Sequence, residues 1–110
     1  IESAEERACR LIEETEKSKN TSLSIVGKAT LTLSRLPPAQ LLKLHFLINL
    51  DLSYNQFQSL PVDVPVLTNL QCLNLSRNRI RSFDEFKQLS SLQKLILSHN
   101  QIKSVSFLSC

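Results

Sequence analysis

The chain has 110 residues, 42% of them hydrophobic and 5% aromatic, a single glycine and a net charge of +3. That length supports one domain with a real core, and no linker-like stretch interrupts it. No apolar run approaches the length of a membrane span, and no signal-peptide pattern is visible in the residues present.

In chain order, the first element predicted is an amphipathic helix over residues 4–18, within a segment that ends at residue 21. Ile1, Ala4, Ala8, Leu11, Ile12 and Thr15 fall on one stripe. Ser3 with Glu6 three residues later forms a capping box. Glu2, Glu5 and Glu6 stand at the positive end of the helix dipole, and Lys17 and Lys19 at the negative end. Glu6–Arg10 and Glu13–Lys17 are expected as i,i+4 ion pairs.

Residues 22–46 carry a weak version of a pattern that the rest of the chain states three times. Leu47 to Phe57, Leu70 to Ile80 and Leu92 to Ile102 each read L-x-x-L-x-L-x-x-N-x-(F/I), with offsets of 23 and then 22 residues. The units are therefore 47–69, 70–91 and 92–110, the last incomplete. Leu50 and Leu52, Leu73 and Leu75, and Leu95 and Leu97 sit two apart, the period of a strand with one buried face. In the weak unit, Leu23 and Ile25 take the paired positions, and Leu36-Pro37 matches Leu60-Pro61. Lys28 stands near where an asparagine belongs, and one or two extra residues are expected between Ala29 and Leu33.

Asn55, Asn78 and Asn100 recur where the chain leaves each strand. An amide offers two donors and an acceptor to backbone groups that a bend leaves unpaired, so the three are expected to form a buried structural ladder. The return legs carry Phe57 and Leu60, Ile80 and Phe83, and Ile102 and Val105 at a spacing of three, which suits 3₁₀ or short helical turns. Val64 and Leu67, Phe86 and Leu89, and Leu108 follow. Pro61 and Pro65 favour an extended first leg, and residues 84–89 suit a short helix with acids at its start.

A repeat of this consensus at a period of about 20 to 29 residues resembles the leucine-rich repeat family. The resemblance implies an α/β solenoid. It has a curved parallel sheet of about four strands, short 3₁₀ or helical convex legs, and an amino-terminal helix capping the bare edge of the first repeat. The 22-residue last step with Leu89, Leu92, Leu95 and Leu97 is similar to the short-repeat class of phosphatase regulators and of ciliary and cytoskeletal adaptors. Cys9, Cys72 and Cys110 are odd in number and lack the clustered pairs that cap secreted members of the family. A reducing, cytoplasmic setting is therefore expected. The chain starts with Ile and stops within a return leg at Phe107 and Leu108, so a longer parent protein is expected. End-to-end association through the uncapped last repeat is a further expectation.

Partners of the family dock on the concave strand face. Here that face would present the columns Asn49, Cys72 and Lys94; Asp51, Asn74 and Ile96; and Ser53, Ser76 and Ser98, the serines being structural. At the strand exit lie Tyr54, Arg77 and His99, with Gln56, Arg79 and Gln101 beside them. Tyr and Arg are enriched at interface hot spots, and Tyr54 and Arg77 are placed for a cation–π contact. Ile96 is read as an exposed apolar contact point. Residues 1–19 carry six acids and four bases, whereas residues 77–103 carry six bases and two acids, with Arg77, Arg79 and Arg81 alternating along one edge.

The function expected is protein–protein recognition, as an adaptor or scaffold. Tyr54, Arg77, Arg79, Ile96, His99, Asp51, Asn74 and Lys94 are the candidate contacts. The alternatives are nucleic-acid or anionic-surface binding by the basic repeats, or a structural segment of a larger enzyme or scaffold. Aromatics are too few for a stacking platform, which argues against nucleic acid. Catalysis lacks a constellation. There is no Gly-rich loop or G-x-S-x-G elbow, and His45 and His99 belong to different units. No metal, cofactor or small-molecule substrate is expected.

Overall fold

Leucines two apart can bury themselves only if the intervening residues turn to the other face; Leu50 with Leu52 and Leu73 with Leu75 do so, Leu23 with Ile25 follows them, and Leu95 with Leu97 is partly buried. The computed structural model describes residues 1–36, 41–60, 67–82 and 84–102. Among these, four three-residue strands form one parallel sheet in chain order: β1 (Ser22–Ser24), β2 (Asn49–Asp51), β3 (Cys72–Asn74) and β4 (Lys94–Ile96). Leu23, Leu50, Leu73 and Leu95 are mutual register partners at the strand centres. The ladder runs past the strands, since the N–H groups of Ile25, Leu52 and Leu75 donate to the carbonyls of Asp51, Asn74 and Ile96. The sheet is therefore a curved solenoid face.

Behind the sheet the return legs close a continuous core. Leu33, Leu44, Leu47, Phe57, Leu67, Leu70, Ile80 and Phe86 are buried in it. Each such side chain contributes about 1.5–3 kcal/mol by leaving water. The legs turn through 3₁₀ segments at Leu42–Leu44 and Asp84–Gln88. The expected short helix at 84–89 is thus a 3₁₀ segment, with Asp84 and Glu85 at its start and Phe86 turned inward. Pro37, Pro61, Val64, Pro65, Phe83, Val105, Phe107, Leu108 and Cys110 lie outside the described residues.

Helix α1 (Ala4–Ser18) closes the β1 end, packing on β1 and on the Leu42–Leu44 turn. Ser3 Oγ accepts from the Glu6 N–H at 3.1 Å, and Glu6 Oε1 accepts from the Ser3 N–H at 2.9 Å. Ala8, Ile12 and Thr15 are buried and Ala4 and Leu11 partly so. Thr15 satisfies its hydroxyl on the Leu11 carbonyl. Ile1 does not join the stripe. It precedes the cap and is fully exposed. The expected ion pairs are replaced as well, because Glu6 is held by the capping box. Arg10 instead pairs with Glu2 at 2.8 Å and Glu14 at 3.4 Å, and Lys19 pairs with Glu16; Glu13–Lys17 is not among the ion pairs of the described residues. The Arg10 guanidinium holds the Glu2 carboxyl below its ordinary value, so this exposed pair persists above the usual carboxylate range and is lost only as pH falls through the lowered value.

The first unit departs from the others in two ways that the sequence pattern did not carry. Leu50 follows its partner Leu23 by 27 residues, but Phe57 follows Leu33 by 24, the N–H of each being bonded by the asparagine of the next unit. Three residues are therefore inserted, rather than one or two. They form a tight reversal in which Lys28 and Leu31 exchange backbone bonds of 3.2 and 2.7 Å around Ala29, whose φ is 49°. Gly27 sits beneath the second unit, and a Cβ there would lie 1.7 Å from the Tyr54 carbonyl oxygen. Lys28, standing where the other units have asparagine, cannot supply an amide. Arg7 of the helix reaches across instead, its Nη1 donating to the Val26 carbonyl at 2.9 Å. In the next unit the equivalent carbonyl, that of Ser53, is bonded by Asn55.

Gly27→Ala should therefore destabilise the domain by about 3 kcal/mol, since a backbone carbonyl cannot yield as a side chain can. Arg7→Ala should lower the thermal midpoint by about 5 °C or more, while Arg10→Ala should change it by less, although Arg10 makes two ion pairs. Thermal melts of the three variants followed by circular dichroism check both statements.

Candidate functional site

The outward side chains of the four strands form two rows across the concave face. Ser22, Asn49, Cys72 and Lys94 make one, and Ser24, Asp51, Asn74 and Ile96 the other. Together they line an open groove of about 350 Å³. Several of the polar groups are already oriented. Asn49 Nδ2 donates to Ser22 Oγ at 3.1 Å. Asp51 Oδ1 accepts from the Ser53 N–H, and Asn74 Oδ1 from the Ser76 N–H, both at 2.9 Å. Each side chain is thus fixed by its own strand exit, and the second Asp51 oxygen and the Asn74 amide nitrogen make no hydrogen bond among the described residues. Lys94 is exposed. Ile96 is half-buried, contrary to the expectation of an exposed contact, because it forms part of the groove wall beside Asn74. Cys72 is a free, half-buried thiol in the same groove.

At the strand exit the backbone takes an unusual turn. Tyr54, Arg77 and His99 have φ of 62°, 56° and 57°, a left-handed conformation that costs an ordinary L-residue about 1–2 kcal/mol. The following asparagines hold that turn. Asn78 Nδ2 donates to the carbonyls of Leu52, Leu75 and Ser76 at 2.9, 3.1 and 3.2 Å, and its Oδ1 accepts from the Phe57 N–H at 3.0 Å. Asn55 does the same for Ile25, Leu52, Ser53 and Leu33, and Asn100 for Leu75, Leu97, Ser98 and Ile80. Each amide thus ties its own unit to the preceding one. Asn55 and Asn78 are buried and Asn100 is half-buried. Ser53, which the sequence reading assigned to structure, is buried beside them.

The same turn brings Arg77 and Tyr54 together, with the guanidinium carbon 5.4 Å from the ring centroid. Tyr54 is 52% exposed, so the pair stands on the rim of the groove. The Arg77 N–H donates to the Ser98 carbonyl at 2.9 Å, which sets His99 next in the column. Arg77, Arg79 and Arg81 are exposed while Asn78 and Ile80 between them are buried. Asp51, Asn74, Lys94 and Ile96 therefore share one groove, while Tyr54, Arg77, Arg79 and His99 are exposed where the chain leaves the strands, with contact shown between Tyr54 and Arg77. Ser22 and Ser24 extend both rows, as the pairing of Leu23 and Ile25 with Leu50 and Leu52 requires, because the three-residue insertion falls after the strand. Among the described residues no helix is long and apolar enough to cross a membrane, and no three His, Cys, Asp or Glu side chains group as metal ligands.

Residues 47–102 match the family described as leucine rich repeat. The chain belongs to the leucine-rich repeat family. Bovine (Bos taurus) fibromodulin is 45% identical over 65 residues, which make up 52% of this chain and 16% of the relative. Human (Homo sapiens) podocan-like protein 1 is 41% identical over 76 residues, 67% of this chain and 14% of the relative. A solved leucine-rich repeat protein of Leptospira interrogans superposes with a TM-score of 0.61 at 39% identity, covering 73% of this chain and 21% of the other. The chain thus spans less than a quarter of the length of each protein it matches here.

The ladder geometry predicts a graded cost. Asn78→Ala strands the buried Phe57 N–H and removes one of the two donors to each of the Leu52, Leu75 and Ser76 carbonyls, and should cost about 3 kcal/mol. Asn100→Ala should cost less than half as much, because water can reach the groups it leaves. Urea denaturation of the two variants measures the difference.

Proposed function

We propose that this chain is a protein-recognition module, an adaptor or scaffold element, whose partner docks in the concave groove and against the rim beside it. Leucine-rich repeat proteins bind other proteins, and the groove has the features of such a contact. It offers an acid at Asp51, a base at Lys94, an apolar wall at Ile96 and fixed amides at Asn49 and Asn74. The observation that carries the reading is the Tyr54–Arg77 pair on the rim. An aromatic ring and a guanidinium already held against each other lose little freedom on binding, so more of their contact energy reaches the complex. His99, next in the column, and Arg79 extend that rim. The setting we infer is intracellular, supported by the thiols of Cys9 and Cys72, both unbridged.

The test is capture from cell extract by immobilised domain, comparing the parent with Tyr54→Ala/Arg77→Glu and with Lys17→Glu on the helix. The expected result is a partner retained by the parent and by Lys17→Glu, and lost by the double variant, whose circular dichroism and thermal midpoint stay close to the parent's. A partner bound equally by all three would place recognition elsewhere on the molecule.

A further inference from the structure

The ion pairs of the described residues all lie on helix α1 or its flanking residues, where Arg10 and Lys19 are matched with Glu2, Glu14 and Glu16. The basic edge at the other end has no such partners. Arg77, Arg79 and Arg81 are exposed, alternate with the buried Asn78 and Ile80, and make no ion pair among the described residues. Of the nearby acids, Glu85 Oε1 accepts from the Leu60 N–H at 3.4 Å, and Asp84 lies on the 3₁₀ segment of the return leg. Three guanidiniums in a row raise a local positive potential, and no ion pair among the described residues offsets it.

The backbone that carries them is fixed. The Arg77, Arg79 and Arg81 N–H groups donate to the carbonyls of Ser98, Phe57 and Gln58 at 2.9, 2.8 and 3.4 Å, and Asn78 between the first two belongs to the ladder. The three exposed guanidiniums alternate with buried side chains, the same order in which an extended peptide presents every second side chain to one side. Arg77 is also held against Tyr54, a contact that leaves its N–H edges for a bidentate bond to a carboxylate.

From this arrangement we propose that the strand-exit edge formed by Arg77, Arg79 and Arg81 is a docking site for an extended acidic peptide segment of a protein partner, with carboxylates at alternate positions. The proposal rests on the reading of the chain as a protein-recognition module and specifies the chemistry of what it recognises. Charge complementarity selects an acidic occupant, and the alternation selects an extended one. A single-stranded nucleic acid would meet the charge but not find its stacking surface. The one tyrosine of the chain already has Arg77 against its ring.

The test uses fluorescence anisotropy at low ionic strength, with three labelled probes: a peptide of alternating glutamate and serine, a peptide of the same composition with its glutamates in one block, and an oligothymidylate. The alternating peptide should bind tightest. Arg79→Glu and Arg81→Glu should each weaken it by about tenfold or more, while Lys17→Glu leaves it unchanged and all three variants keep the parent's thermal midpoint. Equal binding of the two peptides, tighter binding of the oligothymidylate, or indifference to Arg79 and Arg81 would each overturn the proposal. Applying Arg79→Glu/Arg81→Glu in the capture experiment separates the two readings. A partner retained by that variant but lost by Tyr54→Ala/Arg77→Glu would refute the acidic-peptide edge and leave groove recognition standing.

Discussion

One side-chain amide, repeated three times, governs this structure. A solenoid must reverse direction at the end of each strand, and every reversal strands backbone groups inside the protein, where an unmet donor or acceptor costs about 1–3 kcal/mol. Asn55, Asn78 and Asn100 meet those groups from both sides, bonding carbonyls of their own unit and of the one before. The amide thereby converts a local necessity into the interaction that couples units. Everything on the rim depends on it. The left-handed backbone at Tyr54, Arg77 and His99 is tolerated because the next residue is anchored, and the turn in that backbone is what sets the Arg77 guanidinium over the Tyr54 ring.

The features legible in the sequence were those encoded by spacing or by local chemistry. Leucines two apart gave the strands and their register, because period two admits one inward face. Ser3 and Glu6 gave the helix start, because a capping box is closed within four residues. What escaped was set by contacts across the fold. Nothing near Arg7 in the sequence points to the Val26 carbonyl, 19 residues away, and the need for it arises only because Lys28 replaces an amide. The choice of Glu2 and Glu14 by Arg10 followed from the engagement of Glu6 in the cap, a competition that pairwise spacing rules do not weigh. Gly27 is required by the carbonyl of the following unit, which occupies the space a Cβ would take, and that neighbour is set by the fold and not by the residues around the glycine. For the groove, the columns of β2 to β4 could be read off directly, whereas the half-burial of Ile96 could not, since it depends on the wall its neighbours make.

The two ends of the solenoid are physically unlike. At the β1 edge a helix with one apolar stripe covers the core and lends a guanidinium to an unmet carbonyl, so the interior is closed by both burial and hydrogen bonding. At the β4 edge Leu92, Leu95, Leu97 and Ile102 pack on the core but are only partly buried. The charge distribution follows the same division. Acids and bases neutralise each other on the helix, while the exposed Arg77, Arg79 and Arg81 make no ion pair among the described residues.

The first unit also limits how a protein of this kind can change size. Its inserted reversal, its glycine beneath a neighbour's carbonyl and its reliance on a helix arginine make it a part with one fixed place. The units built around β2 and β3 share one register and one set of amide bonds, and neither needs anything but a like neighbour on each side. Duplication or loss of such an interior unit would widen or narrow the concave face in steps of about 4.8 Å, the spacing between strands. The breadth of the face is thus the dimension open to evolutionary drift and to redesign, and the closed end is the invariant hinge-post on which any such lengthening is hung.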